Sequence, residues 1–502
     1  MMKQHSKLFC LVMAMLLSLP GFAGCGDAET ETTAAVVTET TPLTEETIET
    51  TRAETKDNLP EIDLDGITVP ILYRGCPADV IEVFAEELTG EPVSDAIYNR
   101  NLSVCERLNF QFDFIPNGTH TAAEFPAEAI ASIAAGSDDF SIISWQQAQA
   151  LKQCLYNRIL DLDDMPYLDF DMPWWNNDYM DVMQIGEDKR FFLVGDICLN
   201  TLRSTSVVYY NHDLYEDLFG TPTDLYELVL EGGWTLEQYF NMTEAAYVDT
   251  DGNGKANEGD IFGSAATTVS NTEMFAYGAG LQVAVRDDSG LPVLVVNSEK
   301  NYDIFSRLSN LFWNNIGLTT KYDDNQMYNS TVVSNLFSAN QMLFMPLWLK
   351  TCENLREMES VYGIIPYPKF DETQSEYLSL VHNCASVFCI PVTSRNAEDM
   401  CAVLEAMCAE NYRTVMPAYY DVALKRQYAR DDISAQMIDL IHDTSMTDFG
   451  YAYSSSIGGL GVIGRDIVGQ KKDAASTIQS KYSSGETGLS QLIETYLGID
   501  ES

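Results

Sequence analysis

The sequence predicts an α/β protein of more than one lobe, and three observations carry that expectation. The chain has 502 residues, more than one compact core accommodates, so two or three lobes are expected. Hydrophobic residues make up 46% of it, enough for large buried cores. Strand-like apolar runs alternate with helix-like stretches of about 10 to 15 residues, the pattern of βαβ units and a mostly parallel sheet.

The elements follow in order. The folded part is expected to begin near Pro60. Residues 67–72 read as a strand, 79–88 and 95–108 as helices, 110–115 as a strand, 124–135 as a helix and 140–145 as a short buried strand. Residues 207–211 form a further strand that crosses towards a second lobe. Thr235 with Gln238 three positions on is a capping box that opens a helix to about Tyr247. Residues 342–348, 361–366 and 386–391 read as strands, and 399–410 and 435–442 as helices. Ligands of open α/β sheets bind outside the carboxyl ends of the strands, so Trp145, at such an end, is placed to face a crevice.

The N-terminus reads as a targeting segment. Lys3 and Lys7 precede an apolar run over 8–19, of signal-peptide length and too short to span a bilayer. Phe22-Ala23-Gly24-Cys25 resembles a bacterial lipobox, which implies a lipid anchor on Cys25; the alternative is an ordinary signal peptide with an incidental Cys. Residues 26–58 are Thr, Glu and Ala with almost no aromatics and cannot bury enough surface to fold. A polar, self-repelling segment behind an anchored Cys is an extended tether. No later segment is apolar enough to cross a membrane. Of eleven cysteines, nine remain after Cys10 and Cys25, with no regular spacing; most are expected to be unpaired and buried.

The formal net charge is -46, which repels nucleic acid and anionic headgroups, so no nucleic-acid partner is expected. No nucleophile elbow, zincin helix or P-loop occurs, and five scattered histidines argue against a zinc site or a His-based triad. Gly459, Gly461 and Gly464 spell GxGxxG, but without the strand and helix that dinucleotide binding needs. Acidic pairs such as Asp161 with Asp163 and Asp169 with Asp171 read as solvated loop residues in a chain with 75 acids.

One loop has specific spacing. From Asp249 to Asp260, oxygen side chains stand at Asp249, Asp251, Asn253, Asn257 and Asp260, Gly254 allows the sharp turn, and Lys255 offers its carbonyl. This is the arrangement of an EF-hand-type Ca2+ loop, with Asp in place of Glu at the last position. Bound Ca2+ there is expected to be structural; the alternative is an Asp/Gly turn without metal. No organic cofactor is implied.

The second signal is aromatic. Trp145, Trp174, Trp175 and Trp348 lie near loops or strand ends, where flat faces can stack on sugar rings, although any given Trp is more often core. Trp174 and Trp175 are adjacent and are expected to point in different directions.

Several blocks resemble the family 1 extracellular solute-binding proteins, relatives of maltose-binding protein. They are 139–145 ending in Trp145; Leu160-Asp161-Leu162 with Met165-Pro166; Pro173-Trp174-Trp175-Asn176; Tyr209-Tyr210-Asn211-His212-Asp213-Leu214, with His212 where Lys is common; and Gly233-Trp234-Thr235 followed by the calcium-like loop, a combination like that of clostridial members. Phe344-Met345-Pro346-Leu347-Trp348 and Gly363-Ile364-Ile365-Pro366-Tyr367-Pro368 complete the series.

The resemblance implies a two-lobed periplasmic-binding-protein-like fold (type II) with a ligand cleft between lobes. It implies a non-enzymatic, monomeric substrate-binding component of an ABC importer, held by its lipid on the extracellular face of a Gram-positive-type membrane. A carbohydrate ligand and an ABC permease are the implied partners. Trp145, Trp348, Trp175 and Tyr210 become sugar-contacting candidates with Trp174 beside them; Gln146 and Asn211 would bond hydroxyls, and Tyr73 and Arg74 would line the same cleft. The implied organisation is 1–24 signal peptide, 25–59 tether, 60–207 with 376–415 as lobe 1, 208–350 with 416–502 as lobe 2, and 351–375 crossing between them. A receptor for peptide or another solute, a sensor beside a membrane kinase, and a secreted glycoside hydrolase remain as alternatives.

Overall fold

Strand β1 (Thr68–Arg74) is buried on both faces for most of its length, as an interior parallel strand must be. The computed structural model describes residues 52–75, 81–117, 125–186, 189–257, 259–320, 329–355, 357–420 and 432–498. The signal segment, Cys25 and most of the tether lie outside them, as does part of the helix expected over 79–88. The fold starts earlier than Pro60. Asp57 receives both guanidinium nitrogens of Arg107 at 2.6 Å and lies 3.7 Å from Arg413, and a short turn of helix spans Arg52–Glu54. Paired charge rather than apolar burial docks this segment, which is why composition alone assigned it to the tether.

Helix α1 (Pro92–Leu108) opens with Pro92 at its first position and the Glu91 side chain accepting from the Val93 and Ser94 N–H groups, and it ends on left-handed Asn109. Strand β2 (Gln111–Asn117), helix α2 (Ala127–Ala134) and strand β3 (Ile142–Gln146) follow. Helix α3 (Leu199–Arg203) then leads into β4 (Ser206–Asn211), which is buried throughout, and α4 (His212–Leu218). Thr235 caps α5 (Leu236–Ala245), as its box predicts, by accepting from the Gln238 N–H at 3.4 Å. Beyond lie β5 (Phe262–Ala265), α6 (Ser270–Gly278), β6 (Leu318–Thr319), β7 (Met342–Trp348), β8 (Tyr362–Ile365) and β9 (Ser386–Cys389). Helices α7 (Ala397–Glu410), α8 (Asp432–Asp443) and α9 (Ala474–Leu497) complete the series.

Two larger sheets and two two-stranded ones form among the described residues, and both larger sheets are mixed. The first has the order β9-β3-β1-β2, parallel except for β9 against β3; the second has the order β8-β4-β7-β5-β6, with β5 parallel to β6 and β7, and β4 antiparallel to β7 and β8. The parallel pairs are the βαβ units read from the sequence. The antiparallel pairs involve β4 and β9, the strands by which the chain enters a sheet from the other one. Residues 362–365, within the segment expected to cross, pair with β4 inside the second sheet; the passage to the first sheet lies between Ile365 and Ser386.

All eight cysteines among the described residues are unbridged, and six of them are buried. The GxGxxG glycines serve packing: a Cβ on Gly461 would lie 2.0 Å from the Gly450 carbonyl oxygen, and Gly459 takes φ of 78°.

Arg100 is fully buried on α1 and clamps three segments. It donates to the carbonyls of Glu82 and Val83 at 3.3 and 2.9 Å, to Asn101 at 3.0 Å, and to Asn411 just beyond α7 at 2.8 Å. Arg100→Ala leaves those acceptors unsatisfied and a cavity behind. It is expected to cost about 3 kcal/mol of stability, measured by urea denaturation; a loss under about 0.5 kcal/mol would contradict the clamp.

Candidate functional site at the junction of the two sheets

Three chain segments run side by side where the sheets meet. Thr205 bridges to Val381, Leu380 pairs with Met446, and the His382 N–H donates to the Ser204 carbonyl at 3.0 Å. Antiparallel pairing brings strand ends to this place: Gln146, last in β3, lies opposite Ser386, first in β9, and Trp348, last in β7, lies opposite Ser206, first in β4.

Arg74 ends β1. Its Nη2 donates to the Cys384 carbonyl at 3.1 Å and to Ser386 Oγ at 3.3 Å, while Asn200 Nδ2 donates to the same carbonyl at 3.3 Å. Glu82 holds the neighbouring layer by accepting from the Asn200 N–H at 2.6 Å and from Ser144 Oγ at 3.4 Å. On the second sheet's side, the Trp348 and His382 rings meet edge to face at 5.3 Å, and Lys350 Nζ lies 5.5 Å from the Trp348 ring. His382 Nδ1 is 2.9 Å from Cys384 Sγ. Glu273, on α6, is buried and ion-paired with Arg465, and it accepts from the Tyr451 hydroxyl at 3.3 Å. The Tyr451 hydroxyl in turn accepts from the Asn383 N–H at 3.4 Å.

Buried polar atoms without a hydrogen-bond partner in the protein lie here on both sheets, among them Trp145 Nε1, Gln146 Oε1, Asn200 Oδ1, Ser206 Oγ and Trp348 Nε1. Each such atom left without a partner costs about 1–3 kcal/mol, so native folds retain few of them without a role.

Tyr73, Arg74, Trp145 and Gln146 stand at the strand ends of the first sheet; of these, Arg74 reaches the Cys384 carbonyl, and Cys384 touches His382, whose ring meets Trp348. The structure does not bring Tyr210 and Asn211 there, since they occupy the opposite end of β4. The Tyr210 hydroxyl donates to the Pro222 carbonyl at 2.9 Å, and the Asn211 side chain caps α4 and donates to Asn340 at 2.6 Å. Both are scaffold residues. A strand of six buried residues gives no sequence signal of which end faces a ligand.

Trp174 and Trp175 do not diverge. Their indole nitrogens converge on Glu405, Trp174 on Oε1 at 3.0 Å and Trp175 on Oε2 at 2.8 Å. A turn in which the Trp175 N–H donates to the Met172 carbonyl removes the strand-like alternation that adjacency suggested. Both line a cavity of about 400 Å³ that reaches the junction, where Thr205 and Ser445 share its wall with Asp196, Met416 and His442. His382, Asn383, Cys384, Glu273 and Arg465 were missed from sequence; no spacing motif joins residues more than a hundred positions apart.

The loop expected to hold Ca2+ closes at the Val248–Ile261 bridge. Carboxylate oxygens of Asp249, Asp251 and Asp260 lie within 4.8 Å of one another. Gly252 and Gly254 take φ of 68° and 75°, and their N–H groups donate to the Asp249 carboxylate at 2.8 and 2.7 Å. Asp260 is fully buried and accepts from the Thr250 and Asn257 N–H groups, each at 3.0 Å. Asn253 and Asn257 turn their amides towards Asp251, at 2.6 and 3.4 Å, and Asn257 Nδ2 also reaches the Lys255 carbonyl at 3.0 Å. The donor set is all oxygen and suits a hard cation. The pairs Asp161–Asp163 and Asp169–Asp171 form local turns, the first Asp of each accepting the N–H of the second.

Several acids are held away from their ordinary range. Burial pushes Glu405 up to about 7 against the two indole donors, Asp196 up to about 7 against Arg52, and Asp448 up to about 6 against backbone N–H donors. The sign is the same for all three: with the folded value raised, the native state binds more protons than the unfolded one between about 4 and 7, so stability falls as pH rises through that window. The melting temperature is expected to be several degrees higher at pH 5 than at pH 8, by calorimetry at constant ionic strength. Glu405→Gln should flatten that dependence, and an unchanged profile would contradict the role of this carboxyl.

No family model and no curated protein matches the chain in sequence. Solved structures match its fold. An ABC substrate-binding protein from Listeria monocytogenes in complex with cycloalternan has a TM-score of 0.52 at 11% identity, covering 85% of this chain and 99% of that one. A cyclo/maltodextrin-binding protein complexed with maltotetraose gives 0.56 at 9%, covering 85% and 97%. Maltose-bound MalE3 of T. maritima gives 0.51 at 13%, covering 85% and 100%. These likenesses establish the α/β, periplasmic-binding-protein-like fold expected from the sequence.

Proposed function

We propose that this chain is the extracellular substrate-binding component of an ABC importer that reversibly binds a sugar or oligosaccharide at the junction of its two sheets. The observation that carries the reading is the set of orphaned polar atoms where the two sheets meet, which includes the indole N–H groups of Trp145 and Trp348. A polyhydroxylated ring supplies acceptors and donors to such groups and an apolar face to the rings around them. The fold supports the same reading, since all three solved proteins named above are substrate- or sugar-binding proteins in complex with saccharides.

Reversible binding fits better than hydrolysis. Glycoside hydrolysis uses two carboxyl groups acting across the scissile bond. Glu273 is engaged by Arg465 and Tyr451, and Glu82 by Ser144 and the Asn200 N–H. Contact with both lobes at once stabilises a closed form by differential affinity, and that form docks on the permease. A lipid on Cys25 and the Thr/Glu-rich segment behind it would hold the domain at the extracellular membrane surface; among the described residues no helix is long and apolar enough to cross a membrane.

Calorimetric titration with a panel of oligosaccharides tests the reading. Binding to at least one glycan is expected, and Trp348→Ala should weaken it by about 1–3 kcal/mol with the circular dichroism spectrum unchanged. Binding of peptides but no glycan, or turnover of a glycan by the purified chain, would overturn it.

We further propose that the loop from Asp249 to Asp260 binds Ca2+ as a structural ion, with Asp249, Asp251, Asn253, Asn257, Asp260 and the Lys255 carbonyl as ligands. The convergence of three carboxylates on one point supports this. Ca2+ at about 1 mM should raise the melting temperature of the chelator-treated protein, and Asp251→Ala should remove that increment. An equal increment in the variant would contradict the site.

A further inference from the structure

Cys384 differs from every other described cysteine in its surroundings. Six are buried, and burial pushes the thiols of Cys154, Cys198, Cys389, Cys401 and Cys408 up. Cys105 is partly exposed and is also raised by burial. Cys384 keeps part of its surface accessible, as does His382, in the segment that passes between the sheets. Its carbonyl accepts from Arg74 and Asn200, its N–H donates to His382 Nδ1 at 3.3 Å, and its Sγ lies 2.9 Å from that nitrogen and 3.8 Å from Ser204 Oγ. His382 is itself held by its N–H bond to Ser204 and by the edge of Trp348.

We propose that His382 and Cys384 form a thiol–imidazole modification site in the groove, at which Cys384 exchanges with low-molecular-weight disulfides. The proton passes from Sγ to Nδ1. The thiolate attacks one sulfur of the disulfide, a new S–S bond forms at Cys384, the old one breaks, and the departing thiolate takes the proton from His382. No other oxidant is needed. The charged groups facing the pair favour the ionised state. Burial opposes ionisation of the thiol, but His382, Lys350 and Arg74 outweigh it and hold it at about 6. His382 is raised by Cys384 and Glu273 against burial and Lys350. Tyr179 and Tyr451 are the other titratable groups that sense the thiolate, and burial keeps both protonated. An adduct here would stand beside Trp348, so exchange would switch off solute binding; that consequence alone rests on the proposed function.

The test is the reaction of the purified full chain with dithiobis(nitrobenzoate), followed by absorbance and mapped by peptide mass spectrometry. Cys384 should be labelled first among the described cysteines, with the rate rising to half its plateau near pH 6. His382→Ala should slow it roughly tenfold or more at neutral pH. Labelling of Cys384 no faster than of Cys105, or a wild-type midpoint near the ordinary thiol value of about 8.5, would overturn the proposal. The wild-type profile decides the matter even if the variant does not fold. Labelled protein should lose saccharide binding that unlabelled protein retains. Retention after labelling would overturn the switch, whereas failure of the unlabelled protein to bind any saccharide would count against the proposed function and leave the exchange site standing.

Discussion

The Cys384 carbonyl is the point on which the geometry between the sheets depends. Arg74, from the end of β1, and Asn200, from α3, both donate to it. One main-chain oxygen therefore ties the first sheet's interior strand and the helix before the second sheet to the segment that returns from it. Charge-assisted donation from a guanidinium buried to 6% exposure is stronger than an ordinary amide contact. With the carbonyl held, Ser386 pairs with Gln146, His382 reaches Ser204, and the edge of Trp348 meets His382.

The antiparallel pairs fall where the chain passes between the sheets. β4 is the first strand of the second sheet and β9 returns the chain to the first, and their first residues, Ser206 and Ser386, sit at the junction. Strand ends carrying Arg74, Gln146 and Trp348 are thereby delivered to one place. Trp174 and Trp175 are fixed by hydrogen bonds to Glu405 and line the cavity that reaches Thr205, while Tyr210 is fixed by its bond to the Pro222 carbonyl at the far end of β4.

Local chemistry made much of the fold legible in the sequence. The strands at 142–146, 206–211 and 342–348 are apolar runs bounded by turns, the Thr235 cap is written in its own four residues, and the 249–260 loop is a spacing rule that the backbone obeys through positive φ at Gly252 and Gly254. Trp145 and Trp348 could be singled out because a strand end is visible as the end of an apolar run.

The sequence by itself determined the α/β class, the order of strands and helices, the loop of converging oxygens and the residues at two decisive strand ends, because each depends on neighbours within about a dozen positions. Only the tertiary structure decided which strands run antiparallel, that Tyr210 and Asn211 face away from the junction, and that His382, Cys384, Glu273 and Arg465 belong to it. Those facts depend on pairings such as Arg465 with Glu273 and Arg74 with Cys384, between residues that no local pattern connects and that meet only when the chain has crossed between the sheets.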